Sequence, residues 1–228
     1  MKFIRQFASD VDYQSFIGGG DNYVEPHIAL IKDTHSVVYK RKITQPLITQ
    51  TINLIEGGTH WVSFYLDTLE GENGLALLKE SLGSNATEIS TNTGVGSDPD
   101  SVLTYDSTNG VWSGNLTSID LTRMYRIKCV GSVTIEFSGH AVDPSRYEIT
   151  LKPGWNWIGY PVRDTVNVKD ALANLVPSNG DVIKSKDWSM TYLMGQWLGV
   201  KEMTPGMGYM YQSKADNENK VLKYNISQ

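Results

Sequence analysis

The chain has 228 residues, 40 % of them hydrophobic and 20 % charged, which suits one large globular domain or two small ones. Its formal net charge of −5 argues against a protein that coats nucleic acid, a task that needs a dense cationic surface. The single Cys129 excludes an internal disulfide, and no apolar run approaches the roughly 20 residues of a membrane span.

Met1-Lys-Phe-Ile-Arg-Gln-Phe-Ala-Ser-Asp-Val-Asp12 begins with a base, but acids arrive before any apolar core forms, so no secretory signal is read there. Residues 1–48 form an N-terminal arm. Gly18-Gly-Gly-Asp21 lacks the Lys and the following helix of a phosphate loop and reads as a flexible joint. The run from Pro26 to Lys40 predicts a two-stranded hairpin that turns at Asp33-Thr34. A lone hairpin is marginal in water. Its apolar Ile28, Leu30, Val37 and Tyr39 and its unpaired edges are therefore expected to dock on a second copy or on another protein.

Two copies of one module follow, at 49–138 and 149–228, joined by a linker at 139–148 in which Pro144 adds stiffness. Copy one opens with Ile52-Asn-Leu54, Gly57-Gly58 and Trp61-Val-Ser-Phe64, which reads as strand, turn, strand. Apolar residues at 75, 78 and 82 predict a helix over Gly74–Gly83, and Ser90 to Ser101 is read as a surface loop. Val102-Leu-Thr-Tyr105, Asn109-Gly110 and Trp112 form a hairpin, and Met124-Tyr125 and Val133–Phe137 are the closing strands. Copy two repeats the order: Ile149-Thr-Leu151, Gly154, Trp157-Ile-Gly-Tyr160, then a helix over Asn167–Val176 with apolar residues at 168, 171, 172 and 175. Met190-Thr-Tyr192, Gly195, Trp197, Met207-Gly-Tyr209 and Val221–Tyr224 complete it. The predicted class is α+β with β dominant: two tandem homologous small modules, each of strands, one short helix and an aromatic hairpin, after the hairpin arm.

Residues that recur at the same step in both copies are read as core. Trp61 and Trp157 are predicted to be buried equivalents, one per module and energetically independent, and Trp112 and Trp197 form a second such pair. Trp155 and Trp188 have no counterpart in copy one and are the candidate ligand or partner contacts. His27, His35, His60 and His140 are scattered, Asp98-Pro-Asp100 lacks the Gly and distal Glu of a calcium loop, and no Gly-x-Ser-x-Gly elbow is present. Cys129 sits in an alternating apolar run and reads as a structural thiol. No catalytic residue, metal or cofactor is expected.

Tyr13-x-x-Phe16, Gly19-Gly-Asp21, Pro26-His-Ile-Ala-Leu-Ile-Lys-Asp33-Thr and Val38-Tyr39 together resemble a short leader on structural proteins of phages of gut Bacteroidota, the crAss-like phages. Leu151-Lys-Pro-Gly-Trp-Asn-Trp-Ile158 with Pro205-Gly-Met-Gly-Tyr-Met210 is similar to a repeat in surface and secreted proteins of those bacteria and their phages. Copy one departs from it, with no Trp-Asn-Trp and with Leu121-Thr-Arg-Met-Tyr125 in place of the second motif. The resemblance implies a non-enzymatic virion protein of fibre or decoration type. Such a protein is made in the host cytoplasm without a signal peptide, is homo-oligomeric, and partners other virion proteins and a host surface glycan or protein, with no nucleic acid or membrane. The alternative is a glycan- or protein-binding surface module of bacterial origin, and an enzyme of glycan breakdown is the third reading.

Overall fold

A computed structural model describes residues 5–7, 27–31, 36–40, 46–68, 73–215 and 218–226. The chain divides into two units, Met1–Pro46 and Leu47–Gln228. The arm therefore ends two residues earlier than expected, because Leu47 is already the first residue of a strand that pairs within the second unit.

In the first unit, β2 (His27–Ile31) and β3 (Ser36–Lys40) make the expected antiparallel pair, with Ile28 opposite Tyr39 and Leu30 opposite Val37. Strand β1 (Arg5–Phe7) adds parallel to β2, which the sequence did not suggest. The side chains of Ile28, Leu30, Val37 and Tyr39 lie outside the described residues.

The second unit is β-dominant, with its described strands in several antiparallel sheets. Its first strand, β4 (Leu47–Leu54), pairs along most of β11 (Val133–Ala141), and β6 (Leu66–Thr68) pairs with the far end of β11. Gly139 makes that last pairing possible, since a Cβ there would stand 2.0 Å from the Asp67 carbonyl oxygen. Helix α1 (Gly74–Leu82) packs on this sheet through Leu75, Leu78 and Leu82, the predicted spacing. Asn73 Oδ1 accepts from the amides of Leu75 (3.0 Å) and Ala76 (3.1 Å) and caps the helix start. Gly83, at φ 49°, ends it.

A five-stranded sheet lies beside these elements: β5 (Gly58–Val62), β10 (Tyr125–Cys129), β7 (Ala86–Thr91), β8 (Ser101–Asp106) and β9 (Val111–Gly114), in the order β5-β10-β7-β8-β9. The later part of the chain supplies β13 (Gly154–Ile158), β15 (Val182–Lys184), β16 (Ser189–Leu193), β17 (Gln196–Trp197) and β19 (Tyr209–Ser213), ordered β13-β19-β15-β16-β17. The registers coincide as well. Trp61 faces Arg126 and Trp157 faces Met210, while Tyr105 faces Trp112 and Tyr192 faces Trp197. Strands β12 (Ile149–Leu151) and β20 (Lys220–Leu222) pair as β4 and β11 do, and the short β14 (Val166–Asn167) and β18 (Glu202–Met203) form a pair of their own.

Each half of the second unit builds its core on an aromatic trio. Phe64 lies 5.9 Å from Tyr125 and 4.9 Å from Phe137 between ring centroids. Tyr160 lies 6.0 Å from Tyr209 and 5.3 Å from Tyr224. Burial pushes Tyr125 and Tyr209 up to about 12, and in both the hydroxyl oxygen accepts the amide of the residue five positions earlier, Asp120 or Thr204, at 2.6 Å.

Three expectations change in detail. The second helix stops early: α2 spans Val168–Ala171, and from there the chain closes i−3 turns, such as the Leu175 amide on the Leu172 carbonyl at 3.0 Å. Val168, Ala171, Leu172 and Leu175 are still buried, so the apolar spacing reported burial rather than helix length. The linker is shorter than 139–148, because β11 runs to Ala141, and it contains a capped 3₁₀ turn over Pro144–Arg146. The two hairpins also turn differently. Asp106 Oδ1 accepts the Thr108 amide (2.8 Å) in a four-residue turn closed by Gly110, whereas Met194 (φ 49°) and Gly195 (φ 82°) form a two-residue turn with both residues left-handed.

Met194 is 93 % exposed, so its unfavourable backbone has no packing to offset it. Met194→Asn, which makes the favoured Asn-Gly pair, is expected to stabilise the protein by about 0.5–1 kcal/mol in chemical denaturation.

Candidate functional site

The principal site lies where the two halves of the second unit meet. Residues that follow the edge strands β5 and β13 make reciprocal backbone bonds: the Ser63 amide donates to the Gly206 carbonyl (3.0 Å), and the Gly159 amide donates to the Thr122 carbonyl (2.8 Å). Ser63 and Gly159 each come two residues after Trp61 or Trp157, and Gly206 and Thr122 each come three residues before Tyr209 or Tyr125. The Gly208 amide donates to the Trp61 carbonyl at 3.1 Å, and Ser63 Oγ donates to the Met207 carbonyl at 2.6 Å. Two glycines permit this approach. A Cβ on Gly159 would lie 2.2 Å from the Leu121 carbonyl oxygen, and one on Gly208 would lie 2.2 Å from Met124 Cγ.

A ladder of cations and indoles fills the joint. The Arg126 guanidinium lies 4.0 Å from the Trp157 ring and 5.4 Å from the Trp61 ring. Lys184 Nζ lies 4.3 Å from Trp155 and 5.7 Å from Trp61. The order is Trp155, Lys184, Trp61, Arg126, Trp157, with buried Met124 and Met210 packed against it. An indole face attracts a cation, and the attraction grows as water is excluded. Burial lowers the Arg126 pKa, against the opposing charges of Asp98 and Glu88, but an arginine keeps its charge. Arg126 Nη2 also donates to the Ser97 carbonyl at 3.1 Å.

This placement alters the reading of the tryptophans. Trp61 and Trp157 do occupy the same step on equivalent strands, Trp157 buried and Trp61 half-buried. That step is the joint rather than each half's own core, so the two indoles share one guanidinium and are not independent. Trp112 and Trp197 do pack on the two cores, each against its hairpin tyrosine at 5.2 and 5.4 Å. Trp155 is half-buried in the ladder, and Trp188 is half-buried on the second core with its ring 5.7 Å from Tyr209. The structure does not bring these two candidate contacts together.

The segment at 90–101 is buried at Ser90–Asn92 and largely exposed from Thr93 to Asp100, as a surface loop should be, but it is also anchored to the joint. The Gly96 amide donates to the Trp155 carbonyl at 2.8 Å, which ties the segment to the second half. Inside it, Asn92 Nδ2 donates to the Asp98 carbonyl (2.5 Å) and Thr93 Oγ1 donates to Asp100 Oδ2 (2.7 Å). Sequence reasoning missed Arg126, Lys184, Gly159 and Gly208. Their signal was faint: an arginine inside Tyr-Arg-Ile-Lys128, and a glycine in each motif of the second half where the first half has Ser63 or Met124.

A buried charge stabilises the second half. Asp181, fully buried, accepts from Lys220, from the Tyr211 hydroxyl (2.5 Å) and from the amides of Ser178 (2.9 Å) and Lys214 (2.7 Å). Burial alone would raise its carboxyl pKa, but the bonds from Lys220, Tyr211 and the two amides outweigh that and hold it below the usual carboxylate value. Tyr211 moves the other way, raised by burial and by its bond to that carboxylate.

Beside the joint lies a polar cleft of about 440 Å³, between the Asp120–Arg123 turn of the first half and β12 of the second. A second cavity of about 290 Å³ lies over Phe64 and Phe137. Among the described residues, no three His, Cys, Asp or Glu side chains are grouped to hold a metal ion, and no helix is long and apolar enough to cross a membrane. Cys129 is buried, which raises its thiol pKa, away from the reactive thiolate. No protein family matches the chain, and no curated protein or solved structure does either.

Two outcomes are expected. Trp61→Ala and Trp157→Ala should each destabilise the protein, Trp157 by roughly 3–5 kcal/mol. A double-mutant cycle should show a coupling of about 0.5–3 kcal/mol between them, where additivity would mean separate environments. The second outcome is set by Asp181. Its pKa is depressed in the fold, so its stabilisation is complete above the unfolded carboxylate range and is lost as pH falls through the folded value. Denaturation midpoints should fall below about pH 4, and Asp181→Asn should flatten that fall while lowering stability at neutral pH.

Proposed function

We propose that the chain is a non-enzymatic structural protein of a phage particle, a fibre or decoration component of the crAss-like kind, built from two homologous modules in tandem and docked by its first unit. The observation that carries this reading is the joint. Two β-dominant halves with the same five-strand order and register meet through reciprocal bonds, Ser63 to Gly206 and Gly159 to Thr122, as two copies do across an approximate two-fold axis. Duplication followed by fusion across such an axis makes a stiff block out of modules too small to bury much surface alone. A stiff block that presents loops suits a particle component better than a turnover enzyme, which needs convergent acid, base or nucleophile groups. The resemblance of the leader residues Tyr13 to Tyr39 and of Trp155-Asn-Trp157 to phage and Bacteroidota proteins supplies the setting.

The test is incorporation. In a phage that encodes the chain, mass spectrometry of purified virions should find it at stoichiometric abundance. A version lacking residues 1–46 should keep the circular dichroism of a β-rich fold but be absent from particles. Full-length protein should also give a larger mass by light scattering than the truncated one. A chain found only in the lysate, or a truncated chain packaged as well as the intact one, would refute the reading.

A further inference from the structure

The joint's near-symmetry makes one of its asymmetries informative. On one side of the joint, the Gly206 backbone packs against the side chains of Ile52 and Gln50: a Cβ built on Gly206 would lie 3.4 Å from Ile52 Cγ1 and 3.5 Å from Gln50 Nε2, in ordinary contact. The matching positions on the other side are Thr122, three residues before Tyr125, and Ile149, at the start of β12. There the halves stand apart and the cleft of about 440 Å³ opens, within the roughly 300–1,000 Å³ of small-ligand sites. Among the described residues, this cleft lies on the side bearing Thr122 and Arg123.

The chemistry of the lining selects a ligand class. Arg123 is neutralised by Asp120 (2.9 Å) and also donates to the Asn92 carbonyl (3.1 Å), while Glu148 is paired with Lys223. The cleft thus offers paired charges, the hydroxyls of Thr93 and Thr150, and the exposed Lys152 rather than one dominant sign. Two lining residues, both over nine-tenths buried, hold a polar atom without a hydrogen-bond partner among the described residues: Trp157 Nε1, a donor, and Asn92 Oδ1, an acceptor, both closed to solvent here, so that a ligand reaches them by shifting the cleft wall. An inorganic anion could meet only the donor and a cation only the acceptor, whereas a hydroxyl can serve either. We propose that this cleft binds a saccharide residue, held by hydroxyl contacts at the Asn92, Trp157 and Thr150 walls. The site is independent of where the protein is mounted, and it uses neither exposed aromatic stacking nor the Trp188 surface.

The test is an NMR titration of the full chain, following the Trp157 indole N–H, with glucose, galactose and N-acetylglucosamine, their methyl glycosides, and sodium sulfate. The expected result is a saturable shift of the Trp157 signal with at least one sugar. Thr150→Phe, at an exposed strand position, should weaken that sugar's binding by at least tenfold while leaving the remaining amide spectrum in place. A response to methyl glycosides assigns the end of a glycan chain, and a response to the free sugars alone assigns a monosaccharide. No shift with any sugar, a shift with sulfate only, or binding unchanged in both Thr150→Phe and Lys152→Gln would overturn the proposal.

Discussion

The second unit depends on a partly buried stack of two cations between three indoles. Trp155, Lys184, Trp61, Arg126 and Trp157 join two halves that would otherwise each have to hold together on a small core. The stack needs the backbones close, and Gly159 and Gly208 supply that closeness where any larger side chain would meet a carbonyl oxygen or Met124. The closeness in turn sets the reciprocal bonds at Ser63 and Gly159, and these bring the Asp120–Arg123 turn toward β12. The cleft is therefore a consequence of the joint, opened by the larger side chains at 122 and 123 where the other half has Gly206 and Met207.

The halves differ in how they stabilise their interiors. The first uses aliphatic packing of a nine-residue amphipathic helix against β11. The second has only one helical turn and adds a buried carboxylate, Asp181, tied to Lys220, Tyr211 and two backbone amides. A buried charge is tolerable only when its partners offset its lost hydration, so the segments at 178–181, 211–214 and 220 are fixed to one another. The chain end is thereby tied to the middle of the second half.

Much of the architecture was legible because it rests on local patterns. The helix at 74–82 announced itself through its apolar spacing and its closing glycine, and the structure adds Asn73 as its cap. The Tyr105–Trp112 and Tyr192–Trp197 hairpins followed from turn residues between aromatic strands. What was not legible was contact between the halves. A tryptophan that recurs at one strand position looks the same whether it faces its own core or the other half, and only the partner Arg126, distant in sequence from Trp157, decides between them. The segment at 90–101 shows the same limit: its Ser, Thr, Asn and Gly suit the largely exposed loop seen at 93–100, but not the bond from its Gly96 amide to the Trp155 carbonyl. Trp155 itself, unmatched in copy one, was read as free for a ligand because Lys184 above it lies in another strand.

The central claim is that the joint makes the two halves one cooperative body. Native-state hydrogen exchange on the full chain tests it through core amides on each side, those of Ile89 and Ile127 in the first half and Ile183 and Tyr211 in the second. If the claim holds, all four exchange through the same global opening, with equal free energies and equal denaturant dependence. If the second-half amides instead exchange through a smaller opening, at a clearly lower free energy than those of the first, the halves unfold separately and the joint does not unite them.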